Sequence, residues 1–279
     1  MQKLFGVFES TDRPESFLNG NVLIRLKTED HSMISMIKTE PQGIRRRVAI
    51  VLVSAFFLQQ GIAADTQNPV DHQKQYEGLL TLASGSNPKA KHDLFIYVYE
   101  HSSSLRSHRR EAMNMLIESA KLGYTDAQYN LGYMLMTGTW VDANDAEGVY
   151  WLTTAANKGH LSAQLWCGEW FLDRAYGSSG DMRAEYLSVA MDFLRYASDA
   201  ERPDSGEVLE ARRILGLALI RESVTDFEGW GLVQSAAMAG HAPAQESMAE
   251  LVEMLNDAIG EGFDEARVLL DKYGGVESK

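Results

Sequence analysis

Three times this chain repeats a turn glycine, a helix start and an Ala-Gln pair in one six-residue frame. The copies are Gly123-Tyr-Thr-Asp-Ala-Gln128, Gly159-His-Leu-Ser-Ala-Gln164 and Gly240-His-Ala-Pro-Ala-Gln245. The first two start 36 residues apart. A recurrence in the thirties marks a solenoid of stacked helix pairs, because each unit has too little surface to bury its apolar faces alone. No other feature of the chain narrows its fold so far.

The unit between the first two copies predicts its own geometry. Ala127, Leu131, Gly132 and Leu135 fall within about 140° of arc at 100° per residue, one face of a helix. Ala127 and Gly132 are small enough there for a neighbouring helix to approach closely. Gly138 breaks that helix, and Thr139 to Asn144 read as a loop. Asp145 sits where a second helix starts and its charge suits the dipole. Gly148, Trp151, Leu152, Ala155 and Ala156 form a second apolar face, and Gly159 is expected as its left-handed cap.

These residues resemble the Sel-one-like repeat family, a relative of the tetratricopeptide repeat. Ala127, Leu131, Gly132, Leu135, Gly138, Val141, Trp151, Ala155, Ala156 and Gly159 match its pattern without a gap, while Trp140, Asn144 and Gly148 stand where the pattern has Gly, Asp and Ala. The resemblance implies an all-α, right-handed α/α solenoid of about five stacked helix-turn-helix repeats, and a role in protein interaction. Unit starts at 90, 127, 163, 211 and 244 are separated by 37, 36, 48 and 33 residues, the long step reflecting two longer loops. Phe95 in the slot of Gly132 marks the first of these units as a capping-like one.

The domain reading is residues 1–32 as a mis-set start or disordered lead, 33–64 as a secretory signal peptide, and 65–279 as the repeat domain. Arg45-Arg46-Arg47 precede the apolar run Val48 to Leu58, and Gly61-Ile-Ala-Ala64 follow with the small residues of a cleavage site. That run is shorter than the about 20 residues a membrane span needs. The expected location is periplasmic or secreted, with no stable span in the mature chain. A cytosolic protein is the alternative if the apolar run is not an export signal.

Beyond residue 64 the chain keeps 18 of its 26 basic and 33 of its 39 acidic side chains, a formal charge of −15. Such a balance disfavours nucleic acid and anionic membranes as partners. Cys167 is the lone cysteine, so no internal disulfide or multi-thiolate metal site can form, and it reads as a small buried residue. Some exported relatives in the resembled family carry a cysteine pair in each repeat. This chain lacks that pattern, which leaves a hydrolase acting on a cell-wall or β-lactam substrate as an alternative carried by those relatives alone.

No G-x-S-x-G elbow, P-loop, G-x-G-x-x-G turn after a strand or H-E-x-x-H helix is present. His160 and His241 hold the same loop position two units apart, too far to share a metal. Asp142 with Asp145, and Glu261 with Asp264, suit helix starts. The basic loop Arg106 to Arg110 reads as solvated or as a contact patch. The expectation is a non-catalytic scaffold without cofactor or metal, binding a protein partner. Tyr97, Tyr133, Met134, Trp166 and Trp170 are the candidate partner-binding residues, because the register points them away from the helix-facing slots. Packing of Trp166 and Trp170 between units is the competing reading.

Overall fold

The computed structural model describes residues 22–26, 33–37 and 69–274. The chain divides into two units, residues 1–75 and 76–279. In the first, strands β1 (Val22–Leu26) and β2 (Met33–Ile37) pair antiparallel, with Val22 opposite Ile37 and Leu26 opposite Met33. The basic-apolar segment of residues 45–64, expected as an export signal, lies outside the described residues.

The second unit is all-α. Helix α1 (Pro69–Ala83) precedes the repeats. Five helix pairs follow: α2 (Pro88–Glu100) with α3 (Arg109–Lys121), α4 (Thr125–Thr137) with α5 (Asp145–Asn157), α6 (Leu161–Tyr176) with α7 (Gly180–Ser198), α8 (Gly206–Glu222) with α9 (Phe227–Met238), and α10 (Ala242–Gly260) with α11 (Asp264–Tyr273). From α2 to α11, each helix packs on its neighbours in sequence. First helices also touch across units, α6 with α8 and α8 with α10. This is the stacked helical-repeat architecture that the repeated hexapeptide predicts.

The ends are encoded locally. Side chains of Asn87, Asn144, Ser205 and Asp226 accept backbone N–H groups at the starts of α2, α5, α8 and α9. At the end of α5, Gly159 takes φ 86, its N–H donates to Ala156 and the His160 N–H reaches Ala155. Gly123 and Gly240 repeat this left-handed cap, which a side chain would strain. Trp140 also takes a left-handed φ of 63, the conformation that glycine would adopt more easily. Its ring is held against Phe95 and Tyr99, at 5.9 and 5.0 Å between centroids, and under the Arg109 guanidinium.

The small slot works within each pair. A Cβ on Gly132 would lie 2.9 Å from the Gly148 carbonyl oxygen, and one on Gly216 would lie 2.6 Å from that of Gly229. The backbones of α4 and α5, and of α8 and α9, therefore cross in near contact. At Gly168 the obstacle is only the Leu194 side chain. Ala249, in the corresponding slot of the last unit, is exposed, and α10 is anchored by buried Leu251 and Leu255 instead. Phe95 is buried and fills its slot with a ring rather than a close crossing.

A second device links one unit to the next. Gln128, Gln164 and Gln245 donate side-chain N–H groups to the carbonyls of Ala120, Ala156 and Ala237. Lys91 and Arg212, at the same place in their units, reach Ala83 and Ser198 in the same way. Each unit thus ties the start of its first helix to the last turn of the helix before it.

Candidate interaction face

Helices α2, α4 and α6 each turn one face toward their partner helix and a second toward the preceding unit. What remains uncovered lies three and six residues after the unit's first alanine. It carries Asp93 and Ile96 on α2, Asn130 and Tyr133 on α4, and Trp166 and Glu169 on α6, all half-buried or exposed. Repeat stacking brings equivalent positions into a row across units.

Of the five expected binding residues, Tyr97, Tyr133, Trp166 and Trp170 are half-buried. Met134 is not on this face: it is 3% exposed and belongs to the core. The reason is angular. At 100° per residue, position 134 lies about 20° from Ala127, inside the arc that α4 turns toward its neighbours. Tyr97 and Trp170 share that heading in their own units, and their rings reach the edge of the packed zone. Tyr97 lies 4.5 Å from the His101 ring. Trp170 is stacked parallel to Trp166 at 6.3 Å, meets Phe171 edge-on and has the Arg174 guanidinium 4.8 Å above it. Trp170 is thus part packing element and part surface.

Tyr129 was not singled out from sequence, yet it is central to the face. Its ring stacks on His160 at 4.5 Å and 18°, and lies 6.4 Å from Tyr133 one helical turn on. The signal available in sequence was the i, i+4 spacing of Tyr129 and Tyr133. Beside them, Asn130 Nδ2 and His92 Nε2 are 2.8 Å apart.

Carboxylates from three units surround these rings. His160 Nε2 is 3.7 Å from Asp126 Oδ1. Ser162 donates to Glu207 at 2.5 Å, linking α6 to α8. Burial pushes the Tyr129 phenol well up, aided by Tyr133, Glu207 and Glu169. Burial lowers the His160 pKa, while Asp126 and Glu207 act the other way. His160 also caps α6, its Nδ1 accepting the Ala163 N–H at 3.2 Å. The ring is therefore a structural joint, neutral and stacked.

Other candidates resolve into structural roles. Cys167 is buried, and burial pushes its thiol well above the usual range. In the basic loop, Arg109 covers Trp140 and the His108 ring lies 3.9 Å from Tyr76. Among the described residues, no group of His, Cys, Asp and Glu converges to hold a metal ion, and no helix is long and apolar enough to cross a membrane.

Residues 125–160 match the family model of the Sel1 repeat. A solved Sel1 repeat protein from Oxalobacter formigenes is similar to this chain at 25% identity and a TM-score of 0.51, over 64% of this chain and 49% of that one. A protective antigen present in uropathogenic Escherichia coli strains, displaying an SLR fold, aligns at 21% identity and a TM-score of 0.38, over 71% of this chain and 48% of the other. The chain spans about half the length of these solved proteins. No curated protein matches it in sequence.

Proposed function

We propose that this chain, a Sel1-like repeat protein of the tetratricopeptide-like superfamily, is a non-catalytic scaffold that holds a protein partner in the bacterial cell envelope. The observation that carries the interaction role is the row of half-buried aromatic side chains, Tyr129, Tyr133 and Trp166, on the first-helix side that stacking leaves uncovered. Large aromatics contribute most when a partner dries them, and truncating one such anchor costs about 2 kcal/mol or more of binding. The envelope location is supported by the basic, apolar and small-residue order of residues 45–64.

Two measurements test the reading. Protein recovered from the native host should begin at Ala64 or Asp65 by N-terminal sequencing, and an intact Met1 in a cytosolic fraction would remove the envelope role. For the face, Trp166→Ala and Trp170→Ala are compared with the parent in thermal unfolding and in retention of partners from envelope extracts. Lost partners at an unchanged melting temperature support the scaffold. Full retention in both stable variants would sink it, and a large drop in melting temperature assigns that tryptophan to packing.

A further inference from the structure

We propose that His92 and Asn130 form a proton-operated switch in this face: when His92 takes up a second ring proton, the Asn130 amide turns over, and the face offers N–H donors where it had offered a carbonyl acceptor. The switch holds whether or not the scaffold reading does. It begins with one contact between two units. Asn130 Nδ2 lies 2.8 Å from His92 Nε2. An amide nitrogen only donates, so Nε2 accepts and the neutral ring carries its proton on Nδ1. Asp93 favours that tautomer, its Oδ1 lying 3.8 Å from Nδ1. That distance is too long for a hydrogen bond, and Nδ1 is buried without a bonding partner among the described residues.

Acid forces the contact to change. The one ring atom left to protonate is Nε2, and the Asn130 N–H is aimed at it. Imidazolium donates from both nitrogens and accepts at neither. Two donors would then face each other in a joint where His92 is only 8% exposed, at the cost of a buried unmade bond. A half-turn of the amide about its last side-chain bond puts Oδ1 nearly where Nδ2 was. The new bond has a charged donor and is stronger than the neutral bond it replaces. Nothing else holds the amide: among the described residues, Asn130 Oδ1 meets no donor. Asn130 is half-buried on the same uncovered side of α4 as Tyr133, so the turn alters what that side presents.

The groups around the ring set the pH of the change. Burial holds the His92 pKa below the ordinary value of about 6.5, Asp126 and Asp93 oppose this, and Lys89 adds to it. Tyr124, 5.1 Å from the ring, keeps a neutral phenol throughout, pushed up to about 12 by burial and by Asp126.

The test is NMR on the nitrogen-labelled full chain, titrated from about pH 7.5 down to about 5. At the start His92 should be the Nδ1–H tautomer, with the Asn130 side-chain amide protons close to its ring. As His92 titrates, those protons should move in the same pH range and lose their proximity to the ring. In His92→Gln they should no longer respond to pH. A neutral Nε2–H tautomer would overturn the proposal, because the amide would already be turned. So would amide protons that stay put while His92 titrates, a full response in His92→Gln, or unfolding of the chain before His92 takes its proton. If His92→Gln lowers the melting temperature, Asn130→Asp replaces it. A carboxylate accepts in either orientation, so the His92 midpoint should rise by about 1–3 pH units, and an unchanged midpoint would remove the contact on which the switch depends.

Discussion

Gln128 donates a side-chain N–H to the carbonyl of Ala120 at 3.0 Å, across the turn that joins one helix pair to the next. The bond recurs at Gln164 and Gln245, and Lys91 and Arg212 reproduce it with a cationic donor. A helix C-terminus carries carbonyls without intrahelical partners. The side chain that opens the next unit meets one of them and sets the angle at which that unit enters.

The first prediction concerns this bond. Gln128 is buried, whereas Gln245 is exposed and its bond is only part-buried. Gln128→Glu replaces the donor by a carboxylate beside a carbonyl and should cost about 1–3 kcal/mol at pH 7. The folded form would hold that proton more tightly than the unfolded chain, so the loss should shrink as pH falls. Gln245→Glu should stay within about 0.5 kcal/mol. Urea midpoints for both variants at two pH values decide it, and equal costs would show that the bond has no role in the joint.

The close crossings of the helix pairs lead to the second. Gly216→Ala places a methyl group against the Gly229 backbone, and Gly168→Ala places one against the Leu194 side chain. Backbone cannot yield as a side chain does, so the first change should cost about 1–3 kcal/mol. The second should cost less, because Leu194 can move and alanine favours the helix over glycine by about 1 kcal/mol. Chemical denaturation of both variants gives the order, and the reverse order would contradict the assigned contacts.

Trp140 provides the third. Its left-handed backbone costs a non-glycine residue about 1–2 kcal/mol, and its ring packs against Phe95, Tyr99 and Arg109. Both Trp140→Ala and Trp140→Gly lose the ring, but only glycine also relieves the backbone. Both should be less stable than the parent, with the glycine variant the more stable of the two by about 1 kcal/mol. Equal melting temperatures would mean that the backbone relaxes once the ring is gone.

The fourth is a pH dependence. Burial lowers the pKa values of His92, His160 and His241 in the folded protein, each opposed by a nearby carboxylate. The unfolded chain takes up these protons near the ordinary value of about 6.5, before the folded protein does. These groups therefore leave stability unaffected above that pH and reduce it as the pH falls below. The urea midpoint should drop between pH 7.5 and 5.5. His160→Asn keeps a capping side chain and should make that drop smaller. A variant with the parent's full pH slope would show that His160 does not contribute.

By itself, the recurring glycine, alanine and glutamine pattern determined the helix-pair unit, its period, its left-handed caps and the small slot at Gly132 and Gly216. These are local matters: backbone conformation at a glycine and periodicity along one helix depend on neighbours within a few residues. Only the tertiary structure decided which faces were left uncovered. The register against one partner helix points Met134 outward, but α4 is flanked by α3 as well as α5, and the second neighbour widens the buried arc. Tyr129 reached the face through its stack on His160, a residue 31 positions away. Asp126 and Glu207 came to share its surroundings because stacking brings α4, α6 and α8 together. A surface assembled from three units is set by the angle between them, and that angle is a property of packed side chains rather than of any one stretch of sequence.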